Sequence, residues 1–244
     1  MSSCVHRCLR ENIYHMAAIQ CKIVLEGPEL EETFRLRYKV YCEERAFERK
    51  EDHPDGLEVD KYDVHAVHFA SYNMRGQMVG TVRIILHSEE GFPIEKYCEL
   101  YEDRPVCDRA RVGEISRLAL SKDVRRRAED SYIYDGVGKE PVEFLSPSED
   151  RRRRHEIVVS MYKLIYIESK KTGLTHWYTV MSKGLHMLLT RLGIVFRPVG
   201  PEQYYHGLRT PYIGEIKEIE ETVKRINPAF HEEATAELKR LTSG

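Results

Sequence analysis

The sequence predicts an α/β (α+β) chain, a mixed central sheet flanked by helices. Two patterns carry that expectation. Short apolar runs closed by turn residues recur at 22–26, 64–72, 77–87, 111–120, 175–181 and 194–199, with a further one at 212–216, each of strand length. Helical periodicity fills 30–47, 155–171 and 183–192 between them. The order strand, helix, three strands, helix, strand, helix, strand wraps helices around one sheet. With 244 residues the chain can bury a full core. One domain over 22–216 is expected, with an N-terminal extension at 1–21 and a C-terminal helical extension at 217–244.

The first helix follows Gly27-Pro28 and opens on acidic residues, which suit a helix N-terminus. Leu30, Phe34, Arg37 and Tyr41 fall on one face. Arg37 therefore stands in the stripe that should be buried; it either snorkels from the edge or reaches into a polar site. Residues 48–56 read as a charged loop turning at Pro54 and Gly56. The strand pair at 64–72 and 77–87 is joined by Asn73-Met-Arg-Gly76, a hairpin connection. Alternation sets Arg83 on one face with Val79, Thr81 and Ile85, where a charge needs a partner. In the strand at 111–120, Glu114 and Ser116 should share a face with Leu118, while Ile115 and Arg117 point the other way. Residues 121–154 contain Arg125-Arg126-Arg127 and Arg151–Arg154 among glycines and prolines, and read as a long mobile loop.

Lysine and arginine (38) nearly balance aspartate and glutamate (40), a net charge of −2, which argues against bulk electrostatic binding of nucleic acid and leaves only local basic patches for it. Six cysteines occur without a CxxC pair or a secretory leader, which fits a reduced, cytoplasmic chain with free thiols. No apolar window approaches the ~20 residues of a membrane span. No metal-ligand set is expected, since Cys4 and Cys8 lack a second pair.

The densest chemistry lies in Glu58-Val-Asp-Lys-Tyr-Asp63, three carboxylates within six residues. Crowded carboxylates raise one another's pKa unless a cation compensates. Arg37 and Arg83 are the natural compensators. Alone, the cluster could be a solvated loop; it lacks the glycine-containing loop of a calcium site.

Arg37-Tyr-Lys-Val-Tyr41, Glu58-x-Asp60-x-x-Asp63, Gly80-Thr-x-Arg83 and Glu114-Ile-Ser-Arg117 occur in the order found in acyl-homoserine lactone synthases and N-acyl amino acid synthases. The chain resembles these families over roughly 22–216. Arg125–Arg127 and Gly200-Pro…Tyr205-His-Gly-Leu-Arg-Thr-Pro-Tyr212 further resemble acyltransferases of the exosortase and PEP-CTERM protein-sorting system. The resemblance implies the GNAT N-acetyltransferase fold. It implies transfer of a fatty acyl group from an acyl carrier protein thioester, or acyl-CoA, to a small amine or amino acid, with no bound cofactor. It also implies Glu58 and Glu114 as catalytic residues, Glu58 being the preferred base. Arg37, Asp60, Asp63, Arg83, Ser116, Arg117 and His206 are implied as substrate-binding. The synthases usually carry a Trp soon after the first helix; here Phe47 stands nearby, which favours an amino-acid-like amine over S-adenosylmethionine.

Amine attack on a thioester needs a proton acceptor within hydrogen-bond reach and donors for the oxyanion, which backbone N–H groups can supply. No Ser-His-Asp triad is required. CoA-dependent members of the fold have a glycine-rich turn after the third of these strands. Here that stretch is Ser121-Lys-Asp-Val-Arg-Arg-Arg127, without glycine. Arg125, Arg126 and Arg127 are candidates to meet the acidic surface of a carrier protein, or are a solvated basic loop. A non-catalytic carrier-protein or peptide-binding module is the alternative class.

Overall fold

The structure, a computed structural model, describes residues 13–16, 19–105, 107–122 and 147–242. Nine strands among these form one mixed sheet: β1 (Ile13–Met16), β2 (Ile19–Val24), β3 (Ala66–Asn73), β4 (Met78–Leu86), β5 (Val112–Leu120), β6 (His176–Met181), β7 (Arg197–Pro198), β8 (Gln203–Tyr204) and β9 (Leu208–Glu215). Their spatial order is β1-β2-β3-β4-β5-β6-β9-β7, with β8 paired to β9. Only β5 and β6 run parallel among these pairs. A parallel neighbour needs a crossover, and the segment joining them includes α3 (Pro147–Thr172).

Alternate residues of β3 show how the sheet is covered. Phe69 belongs to the cluster under α3, with Ile157, Met161, Leu164 and Ile165, all fully buried. Ala70 belongs to the cluster under α1 (Pro28–Tyr38), with Leu36, Val40 and Ala119. Successive strand residues face opposite sides, so the two helices cover opposite faces. The approach of α3 is close: a Cβ on Gly80 would lie 2.8 Å from Leu120 and 2.9 Å from Met161.

Helix α1 is shorter than the periodicity predicts. Its apolar stripe continues, but as a π-helical turn at Lys39–Glu44. Conversely, α3 starts at Pro147, so Arg151–Arg154 belong to a helix and not to a loop. A short helix α2 (Pro93–Tyr97) lies between β4 and β5. Helices α4 (Lys183–Arg191), α5 (Ile216–Ile226) and α6 (Pro228–Thr242) complete the chain. The expected division at 21/22 falls inside β2, whose Ile19 and Cys21 are core residues. Likewise, α5 and α6 are not an appendage, because Ile219 and Val223 join the main core and Phe230 and Leu238 pack on it.

Two irregularities of β5 shape the site. Its pairing with β6 stops at Ile115–Thr179, after which the strands part. Its pairing with β4 jumps from Ser116–Arg83 to Ala119–Thr81, three residues against two, a β-bulge.

Candidate active site

Arg37 lies in the last turn of α1 and is 1% exposed. It does not snorkel. Its Nε donates to Glu58 Oε2 at 2.5 Å, and Nη1 and Nη2 donate to the two oxygens of Asp63 at 2.6 and 3.0 Å. The counter-charge for Arg83 comes from the same loop. Its Nη1 and Nη2 form a fork onto Asp60, both at 2.7 Å, Nη1 also reaches Asp63 at 2.5 Å, and Nε donates to Ser116 Oγ at 3.0 Å. Such planar two-point contacts are what guanidinium does best. The loop is braced by its own backbone: Asp60 N–H donates to Asp63, and Tyr62 N–H to Asp60.

Arg117 closes the network. Strict alternation would turn it away from Ser116, but the bulge re-aims it. With φ 56 it occupies the left-handed region that few side-chain-bearing residues adopt. Its guanidinium then reaches Glu58 at 3.0 Å, Glu48 at 3.0 Å and Asp60 at 3.3 Å, and lies 5.3 Å from the Tyr41 ring centroid. The expected facing of Arg117 is thus corrected by the bulge.

Electrostatics separate the acidic residues. Burial would raise Glu58, but Arg117 and Arg37 outweigh it and hold its pKa at about 2. Asp60 and Asp63 are lowered in the same way, each by its arginines against burial. Glu114 is the opposite case. It is 2% exposed, its Oε2 accepts the Ile94 backbone N–H at 2.9 Å, and burial pushes its pKa up to about 8. Glu58 thus has both oxygens committed to guanidinium and a lowered pKa, whereas Glu114 is the carboxyl whose burial lets it hold a proton near neutral pH.

Two cavities adjoin this network. One of about 80 Å³ enters the gap between β5 and β6 and is lined by Glu114, Ser116, Thr179 and Leu185, among others. The second, about 350 Å³, is lined by Glu48, Glu58, Asp60, Lys96, Tyr97 and others. Pro93, Arg117, Tyr205 and His206 line both. His206 stacks between Phe47 (5.3 Å) and Tyr205 (4.5 Å), and Tyr205 stacks on Tyr97 at 6.0 Å. One pocket offers a slot between parting strands with a protonatable carboxylate. The other offers a larger, aromatic-walled chamber whose carboxylates Glu48, Glu58 and Asp60 share the wall with Lys61, Lys96 and Arg117.

This architecture matches known proteins. Residues 36–135 match the acetyltransferase (GNAT) domain family. The chain carries a GNAT-like domain. An acyl-homoserine-lactone synthase of Vibrio anguillarum is 23% identical over 172 residues, 70% of this chain and 76% of that protein. Among solved structures, the GNAT-like domain resembles BjaI, a CoA-dependent acyl-homoserine lactone synthase, with a TM-score of 0.57, 18% identity, and coverage of 88% of this chain and 92% of that one. It also resembles FeeM, an N-acyl amino acid synthase from uncultured soil microbes, with a TM-score of 0.51, 13% identity, and coverage of 84% and 95%. These structural likenesses establish the fold.

Within the GNAT-like domain the expected site residues divide by position. Glu58, Asp60, Glu114, Ser116, Arg117 and His206 line a cavity. Arg37, Arg83 and Asp63 do not; they lie behind the wall and hold its carboxylates. Arg125, Arg126 and Arg127 lie outside the described residues. Two site-forming residues escaped the sequence reading. Glu48 sits in what reads as a solvated charged loop. His68, on β3, is 3% exposed with neither ring nitrogen hydrogen-bonded among the described residues, and its Nε2 is 3.7 Å from Asp63. Burial drives its pKa to about 4, so it is neutral beside the arginines. Among the described residues, no group of His, Cys, Asp or Glu is arranged to hold a metal, and no helix is long and apolar enough to cross a membrane.

Proposed function

We propose that the protein is an N-acyltransferase that moves a fatty acyl group from a thioester to the amine of a small, amino-acid-like acceptor. The single observation that carries this reading is Glu114: a buried carboxyl with a pKa of about 8, lining the gap between β5 and β6 beside a separate, charge-lined chamber. The thioester enters the gap. There the parted strands leave backbone N–H groups for the oxyanion. The amine arrives from the chamber as ammonium, gives a proton to the Glu114 carboxylate, and its lone pair attacks the thioester carbon. The tetrahedral intermediate collapses with C–S cleavage, the attacking nitrogen gives up its second proton to the departing thiolate, and amide and thiol are left, with the first proton held on Glu114.

The relatives named above support acyl transfer in general. For the donor, we propose acyl carrier protein, because 121–127 lacks the glycine turn that would cradle CoA pyrophosphate. For the setting, we propose a cytoplasmic enzyme associated with exosortase-type protein sorting, on the strength of the Gly200–Tyr212 stretch.

The test is to incubate the protein with long-chain acyl carrier protein or acyl-CoA, each with a pool of amino acids or with S-adenosylmethionine, and to search for N-acyl products by mass spectrometry. N-acyl amino acid formed from the carrier-protein donor is the expected result. No product from any pair, with no thioester hydrolysis, would leave a non-catalytic binding module.

A further inference from the structure

The gap between β5 and β6 passes through the sheet. Glu114 stands on the face that carries α2, bonded to the Ile94 N–H, while the next residue, Ile115, faces the other side and joins the core under α3. The cavity in the gap changes character accordingly. On the α2 side it is lined by Glu114, Tyr205 and His206, with Tyr205 stacked on Tyr97 of that helix. On the α3 side it is lined by Ile115, Tyr162, Met181 and Leu185, all members of the main core cluster. A polar mouth thus leads to an apolar inner end.

Beyond that end lies a third cavity, of about 30 Å³, between α3, β6, α5 and α6. Its apolar wall is Trp177, Ile219, Val223, Phe230 and Ala234. Of the polar side chains that also border it, Lys163 pairs with Glu233 at 2.7 Å and Glu237 at 3.1 Å, Tyr166 donates to Glu220 at 2.8 Å, and Thr235 donates to His231 O at 2.8 Å. Apolar voids of this kind stay dry. Tyr162 is the one residue common to the linings of this cavity and of the gap. Its ring is braced from behind. It lies edge-on to Trp177, centroids 6.4 Å apart, and Trp177 is pinned by donating its Nε1–H to Ser169 Oγ at 2.8 Å. Tyr162 is 3% exposed, and its hydroxyl makes no hydrogen bond among the described residues. What the side chain supplies at this point is the bulk of its ring.

We propose that Tyr162 is the end wall of the acyl channel and sets the longest chain the site accepts. The proposal rests on the acyl-transfer reading and assigns the chain-length limit of that same site. With the thioester carbon beside Glu114, the alkyl chain runs between the parted strands to the α3 side, and its methyl end meets the Tyr162 ring. The dry cavity behind the ring is the space a longer chain takes once the ring is removed.

The test uses the full chain and a graded series of S-alkyl pantetheine thioethers, which carry the alkyl chain but no acyl group to transfer. Calorimetric affinity is measured against chain length. In wild type it should rise about fourfold per methylene up to a limiting length and then stop rising. In Tyr162→Ala the limit moves to longer chains, with each methylene that enters the cavity again worth about fourfold. Tyr162→Leu, a milder truncation, shows a smaller shift and reads the same effect if Tyr162→Ala fails to fold. Adding Ala234→Leu to either variant refills the cavity and brings the limit back toward the wild-type length. In turnover, kcat/KM for acyl thioesters of graded length should shift in the same way. A limit that is the same in wild type and variants, or one that moves but is not brought back by Ala234→Leu, overturns the assignment, as does a wild type that binds no member of the series. Turnover with an unmoved limit leaves the transferase and removes Tyr162. A moved limit in a protein with no turnover upholds Tyr162 as the end of an alkyl channel and removes the transferase reading.

Discussion

Glu58 and Glu114 carry the same functional group and differ only in what surrounds it. Two arginines contact Glu58, whereas Glu114 accepts a hydrogen bond from a backbone amide and, among the described residues, from no guanidinium. That difference holds one near 2 and pushes the other to about 8. It was not legible in the sequence, because both are acidic residues beside arginines in short motifs and only burial tells them apart. The consequence is kinetic. If Glu114 is the base, kcat/KM climbs with pH up to about 8, and Glu114→Gln lowers it by about 10²–10⁴-fold. With Glu58 as base, the acid limb would instead fall near its pKa of about 2, so a rate constant between pH 5 and 8 in a substrate of fixed ionisation would remove Glu114 from the role. Asp63 provides the structural counterpart. It receives two bonds from Arg37 and one from Arg83. Asp63→Asn leaves both guanidiniums buried and short of charge, at a cost of about 3–5 kcal/mol, or about 10 °C in Tm for a chain this size. A thermal melt reads it; a fall of under 2 °C would mean the arginines are compensated elsewhere.

At the scale of elements, helices and strands were legible because their periods are, and their interruptions were not. The stripe Leu30, Phe34, Arg37, Tyr41 caught only the edge of the buried face of α1: of the four Arg37 alone is buried, beside Thr33 and Leu36, and nothing in the stripe announced the switch to a π-helical turn at Lys39. Alternation placed Arg83 correctly and Arg117 wrongly, because the extra residue of a bulge is a matter of pairing between strands and leaves no local mark. The same limit hid the docking of α5, which looked like a surface helix. Its backbone in fact passes so near Gly193 that a Cβ there would lie 2.8 Å from Val223 Cα, and Gly193 itself has φ 87. Gly193→Ala therefore combines an unfavourable conformation with a clash against backbone, which cannot rotate away. It should destabilise by about 1–3 kcal/mol. Urea unfolding checks this, and a neutral result would show that α5 moves off without cost.

Across the whole molecule, the buried charges are balanced by sequence-distant partners: residues 37, 83 and 117 meet 48, 58, 60 and 63. The motifs named most of these residues, while the three-dimensional balance appeared only in the fold. That balance gives stability a pH dependence that can be worked out in sign. Glu58 has a folded pKa of about 2 against an ordinary 4.5, so its contribution is present above 4.5 and is lost as pH falls toward 2. His68, at about 4 against 6.5, contributes fully above 6.5 and loses that contribution as pH falls toward 4. Glu114, at about 8 against 4.5, runs the other way. Its folded state holds a proton that the unfolded chain has released, so its contribution is present below 4.5 and is lost as pH rises toward 8. Between pH 6.5 and 8 the first two contributions are constant and Glu114 alone of the three sets a slope. Stability should fall there by up to about 1.4 kcal/mol per pH unit. Urea midpoints at pH 6.5, 7.25 and 8 measure it in wild type and in Glu114→Gln, which cannot titrate and should flatten the slope. An equal decline in both proteins would show that another group carries the proton, and would take the raised pKa of Glu114, and with it the proposed base, out of the mechanism.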